Sequence, residues 1–266
     1  LTDTEGKLKA NETSNPMTIQ GHMQESAGNE YQGLSIDGIS ITVYATQDTV
    51  ESDSFNNQYD ANATSADELK AALKNGGDIN ISKNIYTDNT DSIDARMIIS
   101  KPTTLNLDKK IISPDNMGNN QTNFTALIVS ADTTINASDE GGIDTGTNGG
   151  YGINVMNGAK LTINGGDYYG GGTAVQVQKG TLIINGGKFA CEPYSNPVYG
   201  NKFLINCIDS AYKDGTAKII IKGGTFVNFD PSDSASENPH GNFVADGYKV
   251  VSETHGSDTW YKVVAK

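Results

Sequence analysis

Side chains suited to binding a sugar are the clearest functional groups in this sequence. Five tyrosines fall in predicted loops: Tyr151, Tyr169, Tyr194, Tyr199 and Tyr212. Three amides, Asn154, Gln176 and Asn206, occupy equivalent outward positions on three predicted strands. Aromatic faces and amide hydrogen bonds are the groups that hold sugars. The pattern predicts a carbohydrate site, beside which the loop 190–202 is the longest insertion. The alternative is structural: the amides bond one another between strands, and the tyrosines pack on the flank.

Two acidic clusters have the residue type that sugar hydrolysis requires. They are Asp139, Glu140 and Asp144 in one loop, and Asp230, Asp233 and Glu237 in another. A hydrolase needs carboxyl groups about 5 to 9.5 Å apart. Both loops are rich in Ser and Gly, which is typical of solvated turns. We therefore predict no catalytic residue among them.

A lyase would need carboxylates that hold Ca²⁺ and a base that removes a proton. The only arginine is Arg96, near Asp91 and Asp94, and no column of aspartates accompanies it across the repeats. A carbohydrate-active enzyme, either a polysaccharide lyase or a glycoside hydrolase, is thus the alternative function rather than the expected one.

Metal-binding patterns are weak in this chain. His22, His240 and His255 are too scattered for a zinc motif. Four acidic residues could hold Ca²⁺ but lack the spacing of a calcium loop: Asp48, Glu51, Asp53 and Asp60. We predict no metal site and no cofactor, with Ca²⁺ as the alternative. Cys191 and Cys207 could form a disulfide, or Cys207 could be a buried thiol in an apolar run.

Charge limits the partners. The net charge is -13, from 32 acidic and 19 basic residues, so nucleic acid would be repelled. No apolar run is long enough to cross a membrane. A cation, a neutral polymer or a basic surface would suit this balance.

The elements that must position these groups fall into three segments. Residues 1–47 contain alternating stretches such as Ile39, Ile41 and Val43, which predict a fragment of a β-rich domain. Residues 48–64 are polar and acidic and predict a linker. The third segment, 65–266, opens with a capping box at Ser65 and Glu68 and an apolar stripe at Leu69, Ala72 and Leu73. This short helix would cover one end of a stack of strands.

A repeat dominates the third segment. Leu161-Thr162-Ile163-Asn164-Gly165-Gly166-Asp167-Tyr168 aligns with copies that begin at Leu182 and Ile219. Weaker copies are Leu105–Asp108, Thr133–Asn136 and Ile79–Ser82, and most copies are about 21 to 28 residues apart. A period in this range is typical of a solenoid. We predict an all-β fold, a right-handed parallel β-helix, in which each copy contributes one coil.

The repeat predicts which side chains face the core. Residues one and three of each copy would point inward, so Leu161, Leu182 and Ile219 would form one inner column. Asn and the Gly-Gly pair would turn the corner, and the next inward column would be aromatic, with Tyr168, Phe189 and Phe226. A preceding strand would add the inward pairs Ile153/Val155, Val175/Val177 and Ile205/Cys207. The C-terminal segment breaks the repeat with two alternating strands, Asn242–Val251 and Trp260–Val264, which predict a closing cap.

Two families resemble parts of this chain. From about Ser65 to Asn228 it resembles the right-handed β-helix proteins of the pectate-lyase-like superfamily. In particular, it is similar to surface repeats of gut Gram-positive bacteria. In those repeats, a helix like the one within Glu68–Ile85 opens the solenoid. This resemblance implies the fold but not the function, since the fold carries lyases, hydrolases and adhesins.

The stretch His22–Leu34, continuing to Tyr44–Gln47, is similar to the last strands of the camelysin-like biofilm-fibre family. That resemblance implies export and an association with matrix or the cell surface. The expectation is therefore a non-catalytic extracellular adhesion or matrix protein, with a polysaccharide or a host or matrix surface as partner. A purely structural spacer is the remaining alternative, because it requires no special residues.

Overall fold

Strands make up more than half of the residues that the structure describes. The computed structural model describes residues 61–87, 97–113, 125–146, 150–194, 199–237 and 239–266. The predicted N-terminal fragment at 1–47 and the first part of the predicted linker lie outside the described residues. So do the four calcium candidates Asp48, Glu51, Asp53 and Asp60, together with His22 and Arg96.

The elements in chain order are β1 (Ala61–Asn62), α1 (Ala66–Asn75), β2 (Gly77–Ile81), β3 (Ile85–Tyr86), β4 (Met97–Ile99), β5 (Thr103–Leu107), β6 (Lys110–Ile112), β7 (Thr125–Val129), β8 (Thr133–Ala137), β9 (Gly142–Asp144), β10 (Tyr151–Val155), β11 (Ala159–Gly170), β12 (Thr173–Val177), β13 (Gly180–Cys191), β14 (Ile205–Cys207), α2 (Asp209–Lys213), β15 (Ala217–Ile221), β16 (Thr225–Val227), β17 (Tyr248–His255) and β18 (Asp258–Ala265). Parallel pairing predominates, and among the described strands only the pairs β16–β18 and β17–β18 are antiparallel. The coarse expectation of an all-β chain with parallel sheets is confirmed.

The strands form three stacks, in which strands of successive repeats lie side by side; the C-terminal hairpin strand β17 pairs with β18. The first stack is β1-β2-β5-β8, the first half of β11, the first half of β13, and β15. The second is β3-β6-β9, the second half of β11, the second half of β13, then β16-β18-β17. The third is β4-β7-β10-β12-β14.

The register confirms the inward columns of the three best repeats. Leu161 lies beside Leu182, and Leu182 lies beside Ile219. The aromatic column follows the same order, with ring centroids 4.9 Å apart for Tyr168 and Phe189 and 5.2 Å apart for Phe189 and Phe226. These rings are buried and stack face to face at the spacing that parallel strands impose.

The copy Thr133–Asn136 lies beside the Leu161 copy as predicted, whereas the copies Leu105–Asp108 and Ile79–Ser82 are shifted from the predicted alignment by two residues. Asn106, not Asp108, lies beside Asn136, and Asn80 lies beside Asn106. The physical reason is the period of two along a strand: a slip of two residues keeps every inward residue inward, so the apolar pattern does not reveal it.

The predicted corner at Asn-Gly-Gly is also different in the structure. β11 and β13 are continuous strands of 12 residues that run through it. The change of direction is a bulge instead, since the register of β11 against β13 shifts between Ile163 and Asp167. Gly165 and Gly166 have φ of 130° and 97°, and these backbone angles favour glycine.

The third stack confirms the predicted inward pairs. Ile153, Val175 and Ile205 lie in one buried column, and Val155, Val177 and Cys207 lie in the next. The same columns continue into β7 and β4 through Leu127 and Met97, which the repeat alignment did not include.

The two segments predicted as caps form a helix and a β-hairpin. Ser65 Oγ accepts from the backbone N–H of Glu68, as in a capping box, but Glu68 Oε2 accepts from Thr64 N–H rather than from Ser65. Leu69 and Leu73 are buried, and α1 packs against β4. At the other end, β17 and β18 form a hairpin, and its first strand begins at Tyr248 rather than at Asn242. The predicted linker ends earlier than residue 64, because Ala61 and Asn62 already pair with β2.

Candidate functional site

The three predicted amides do form one column. Asn154 lies beside Gln176, and Gln176 lies beside Asn206, in the third stack. Asn154 and Gln176 are only 4% and 3% exposed, however, whereas a binding column would need open side chains. Ile128 precedes them in the same column and is also buried.

The amides hydrogen bond within the protein. Asn206 Nδ2 donates to Gln176 Oε1, and Asn154 Nδ2 donates to Gln178 Oε1, both at 3.3 Å. Asn154 Oδ1 is buried without a partner among the described residues. This geometry matches the structural alternative, in which outward amides bond one another between repeats.

Three of the predicted tyrosines come together. Tyr194 contacts Tyr199 and Phe203 edge to face, with centroids 6.4 and 5.8 Å apart. Tyr194 is also close enough to Tyr151 for its charge to raise the pKa of Tyr151, although burial is the larger cause. Only Tyr199 is largely exposed, at 44%. The rings therefore form a small apolar cluster above Gly172 rather than a row of open faces.

The other two tyrosines have separate contacts. Tyr169 lies in β11, not in a loop, and its hydroxyl donates to Glu192 Oε2 at 2.7 Å. Burial, then that hydrogen bond, raises the pKa of Tyr169. Tyr212 lies in α2 and packs edge to face on Phe243. Tyr151 is likewise the first residue of strand β10.

Most carboxylates of the two acidic loops have structural partners. Glu140 pairs with Lys109, and Asp144 Oδ1 accepts from Gly146 N–H. Asp230 accepts from Ser232, and Asp233 pairs with His240 at 2.8 Å. Their geometry is that of turns and surface ion pairs.

Glu237 is the one buried member of these loops, at 2% exposure. Its Oε1 accepts from Cys207 N–H at 3.1 Å and from Ser236 Oγ at 3.0 Å, and so covers the open edge of β14. Its Oε2 has no partner among the described residues. Burial raises the pKa of this carboxyl, and the nearby Asp209 adds to the effect.

The described ranges contain no group of three His, Cys, Asp or Glu side chains placed to hold a metal ion. Cys191 and Cys207 are both free and buried. Burial is the main reason why their thiol pKa values rise to about 11 and about 12.

A concavity on the described surface follows the glycine corner between the first and second stacks. This corner groove has a volume of about 560 Å³ and lies open to solvent. It is lined by Asp139, Gly165, Gly166, Asp167, Gly187, Lys188, Gly224, Thr225, Lys262, Val263 and Val264. The glycines are needed because successive corners approach closely: a Cβ on Gly187 would lie 3.0 Å from Gly166 O.

One wall of the corner groove is a row of outward side chains in register. Asp167 lies beside Lys188, Lys188 beside Thr225, and Thr225 beside Lys262. Strands of a sheet are about 4.8 Å apart, so the row spans about 14 Å. Two aspartates and two lysines line the groove, which makes it locally balanced in a chain of net charge -13.

The charged groups of this wall are held by neighbours. Asp167 Oδ2 accepts from Lys110 Nζ at 2.6 Å. Lys188 Nζ lies 4.4 Å from the centroid of the Trp260 ring, and His255 stacks on that ring at 3.8 Å. Lys262 pairs with Glu253. The wall is therefore ordered before any ligand arrives, which lowers the entropy cost of binding.

Sequence reasoning did not single out the corner groove. The signal was present in the aligned repeats, where Gly-Gly is followed by Asp167, Lys188 and Thr225 at one position. Because the glycines were interpreted only as turn residues, the open space that they leave was not considered.

Comparisons with known proteins give no match: no family model, no curated protein and no solved structure matches this chain. Among the described residues, neither helix has the length and apolar character needed to cross a membrane.

Proposed function

We propose that residues 65–266 form a right-handed parallel β-helix, with α1 and the β17–β18 hairpin as its caps. The support is the order of pairing: five successive repeats each add one strand to each of the three stacks, always beside the strand of the preceding repeat. Inward side chains then align in continuous buried columns. This proposal agrees with the resemblance to pectate-lyase-like surface repeats.

On this fold we propose a non-catalytic extracellular or cell-surface protein that binds an extended polysaccharide of low charge. The observation that carries the proposal is the corner groove, which crosses four neighbouring strands and whose wall is a single row of side chains. A groove that runs across repeats suits a polymer whose units also repeat. The balance of two aspartates and two lysines favours a neutral or weakly charged chain over a strongly charged one.

The proposed sugar site is the corner groove and not the predicted amide column. Asn154 and Gln176 are covered and bonded within the protein, so they offer little to a ligand. The tyrosine cluster has one largely exposed ring, Tyr199, and its other rings pack on one another. The corner groove is open and retains a polar lining.

Affinity electrophoresis in gels cast with plant, mucin and bacterial wall polysaccharides tests this function. Thr225→Glu would fill the groove and engage the neighbouring Lys188 and Lys262. We expect one polymer to retard the wild-type protein and the variant to bind it about tenfold or more weakly. Thr162→Glu is the matched control, because it makes the same charge change at a half-buried outward threonine of the first stack.

Each outcome of that experiment has a distinct meaning. Loss of binding in both variants would assign the effect to charge rather than to the groove. If Tyr194→Ala loses polymer binding while Thr225→Glu binds like the wild type, the site lies at the tyrosine cluster instead. Unchanged mobility in every gel would refute polysaccharide binding.

A structural spacer is the second candidate, and one feature favours it. Five asparagines form an unbroken ladder of side-chain hydrogen bonds at 2.8 to 2.9 Å: Asn80, Asn106, Asn136, Asn164 and Asn185. Such a ladder joins successive repeats and stiffens the stack without offering a ligand site. If no polymer binds, this rod-like role is the function that remains.

A further inference from the structure

In the part of the chain that the structure describes, the outer strand of the C-terminal hairpin has one long edge without a partner strand. Among the described strands, β17 is bonded only by β18, along eight residues. Three other stack ends have contacts that cover them: α1 packs on β4, Glu237 bonds to β14, and Phe243 and Ala245 bond to β15. Natural proteins rarely leave such an edge open without a partner.

The hydrogen-bonding pattern identifies which groups of β17 face outward. Gly247 O accepts from Lys266 N–H, so the odd-numbered residues of β17 point their backbone groups toward β18. Tyr248 N–H instead bonds to Ala245 O. Val250, Ser252 and Thr254 therefore present N–H and C=O groups to the open edge.

The side chains on the exposed face of this edge are complementary to themselves. Lys249, Val251 and Glu253 are all exposed, with Val251 at 42%, and Glu253 also pairs with Lys262 and His255 of its own hairpin. If a second copy pairs antiparallel about a two-fold axis at Val251, each Lys249 lies opposite a Glu253 and the two valines meet at the axis. Val250 and Ser252 then form the hydrogen-bonded pairs, as their outward groups require.

Neighbouring registers lack this match. A shift of two residues in one direction places Lys249 opposite Val251, and a shift in the other places it opposite His255. Only the register centred on Val251 pairs opposite charges directly while keeping the outward backbone groups in hydrogen-bonded positions.

We propose that β17 is a dimerisation strand, through which two copies of this chain join edge to edge at their C-terminal caps. The pairing is isologous and closes after two copies, so it makes dimers and not fibres. With eight residues a side it is a small interface, and we expect a weak, concentration-dependent dimer.

Sedimentation velocity of the full chain from about 1 µM to about 1 mM tests the proposal. Ser252→Pro removes an outward N–H without touching the bonds to β18, and proline is tolerated at such edge positions. We expect the dimer dissociation constant to rise about tenfold or more, since each dimer loses two hydrogen bonds. Ser252→Ala keeps the N–H and should dimerise like the wild type.

Lys249→Glu provides an independent variant, since it places like charges opposite each other and should also weaken the dimer about tenfold or more. The near-ultraviolet circular dichroism of Trp260, the only tryptophan and a residue of β18, reports whether the hairpin is intact. If Ser252→Pro alters that signal, Lys249→Glu becomes the deciding variant. A wild-type chain that is monomeric throughout, or a dimer that both Ser252→Pro and Lys249→Glu leave unchanged, would overturn the proposal.

Discussion

Replacing Phe189 by alanine should remove a large part of the stability of the β region. Phe189 is fully buried in the middle of the aromatic column, with Tyr168 on one side at 4.9 Å and Phe226 on the other at 5.2 Å. The two interplanar angles are 9° and 8°, so both faces of the ring are covered by another ring.

The magnitude follows from burial and from ring contacts. Phe-to-Ala changes in cores cost about 3 to 5 kcal/mol, and each lost aromatic pair accounts for about 0.5 to 1.5 kcal/mol beyond area burial. Because two pairs are lost and the strands on both sides hold the cavity open, we expect a loss near the upper end, about 4 to 5 kcal/mol. Domains of ordinary stability have about 5 to 15 kcal/mol in total.

Urea unfolding followed by far-ultraviolet circular dichroism measures this loss. Phe189→Ala should lower the midpoint strongly with an unchanged slope. Phe203→Ala is the matched control, because Phe203 belongs to the half-buried tyrosine cluster and has no stacked partner on both faces. We expect it to cost less than about 2 kcal/mol. A loss of under about 2 kcal/mol for Phe189→Ala, or equal losses for both variants, would refute the role of the column.

Three further predictions concern the ladder, a buried acid and the thiols. Asn136→Ala removes two ladder hydrogen bonds and Asn185→Ala only one, so Asn136→Ala should cost about 1 to 2 kcal/mol in urea unfolding and Asn185→Ala about half of that. Equal costs would contradict a continuous ladder. Because burial raises the folded-state pKa of Glu237, its contribution to stability is fully present below the unfolded pKa near 4.5 and is lost as pH rises through the folded pKa. The urea midpoint of Glu237→Gln relative to that of the wild type should therefore rise between about pH 4 and about pH 8. A difference between the two midpoints that stays constant with pH would disprove the assignment. Cys191 and Cys207 are buried thiols with pKa values of about 11 and about 12, so a thiol reagent should modify them only after unfolding, and prompt reaction in native buffer would show otherwise.

The sequence was sufficient to predict the inward columns in those copies of the repeat that share a clear landmark motif. Gly-Gly followed by an aromatic residue anchored three copies, and the register of Leu161, Leu182 and Ile219 came out as predicted. The weaker copies lack that landmark. Alternation alone could not distinguish Ile79 from Ile81, since both face the core, and the alignment slipped by two residues.

Burial of the amide column could not be predicted in the same way. Spacing showed that Asn154, Gln176 and Asn206 share one column, and the structure agrees. Whether an outward column is open depends on side chains from other repeats, such as Ile128 and Gln178, whose positions the repeat alignment does not contain. The order of strands is thus local information, whereas access to solvent is set by contacts between distant residues.

The corner groove also separates what the fold requires from what it leaves free. Two of its glycines are required by the fold, because Cβ atoms on Gly165 and Gly166 would lie 2.5 Å from Ala137 O and 2.7 Å from Ala137 Cβ. Close approach of successive corners therefore favours glycine in the three best copies, and the lack of side chains there leaves an open channel as a consequence. The outward position that follows the glycines is under no such constraint, and it carries Asp167, Lys188 and Thr225 in successive copies. Variation at an outward position beside an invariant backbone is how a repeat fold acquires a specific surface, and this is the physical reason to test Thr225 before any residue of the buried amide column.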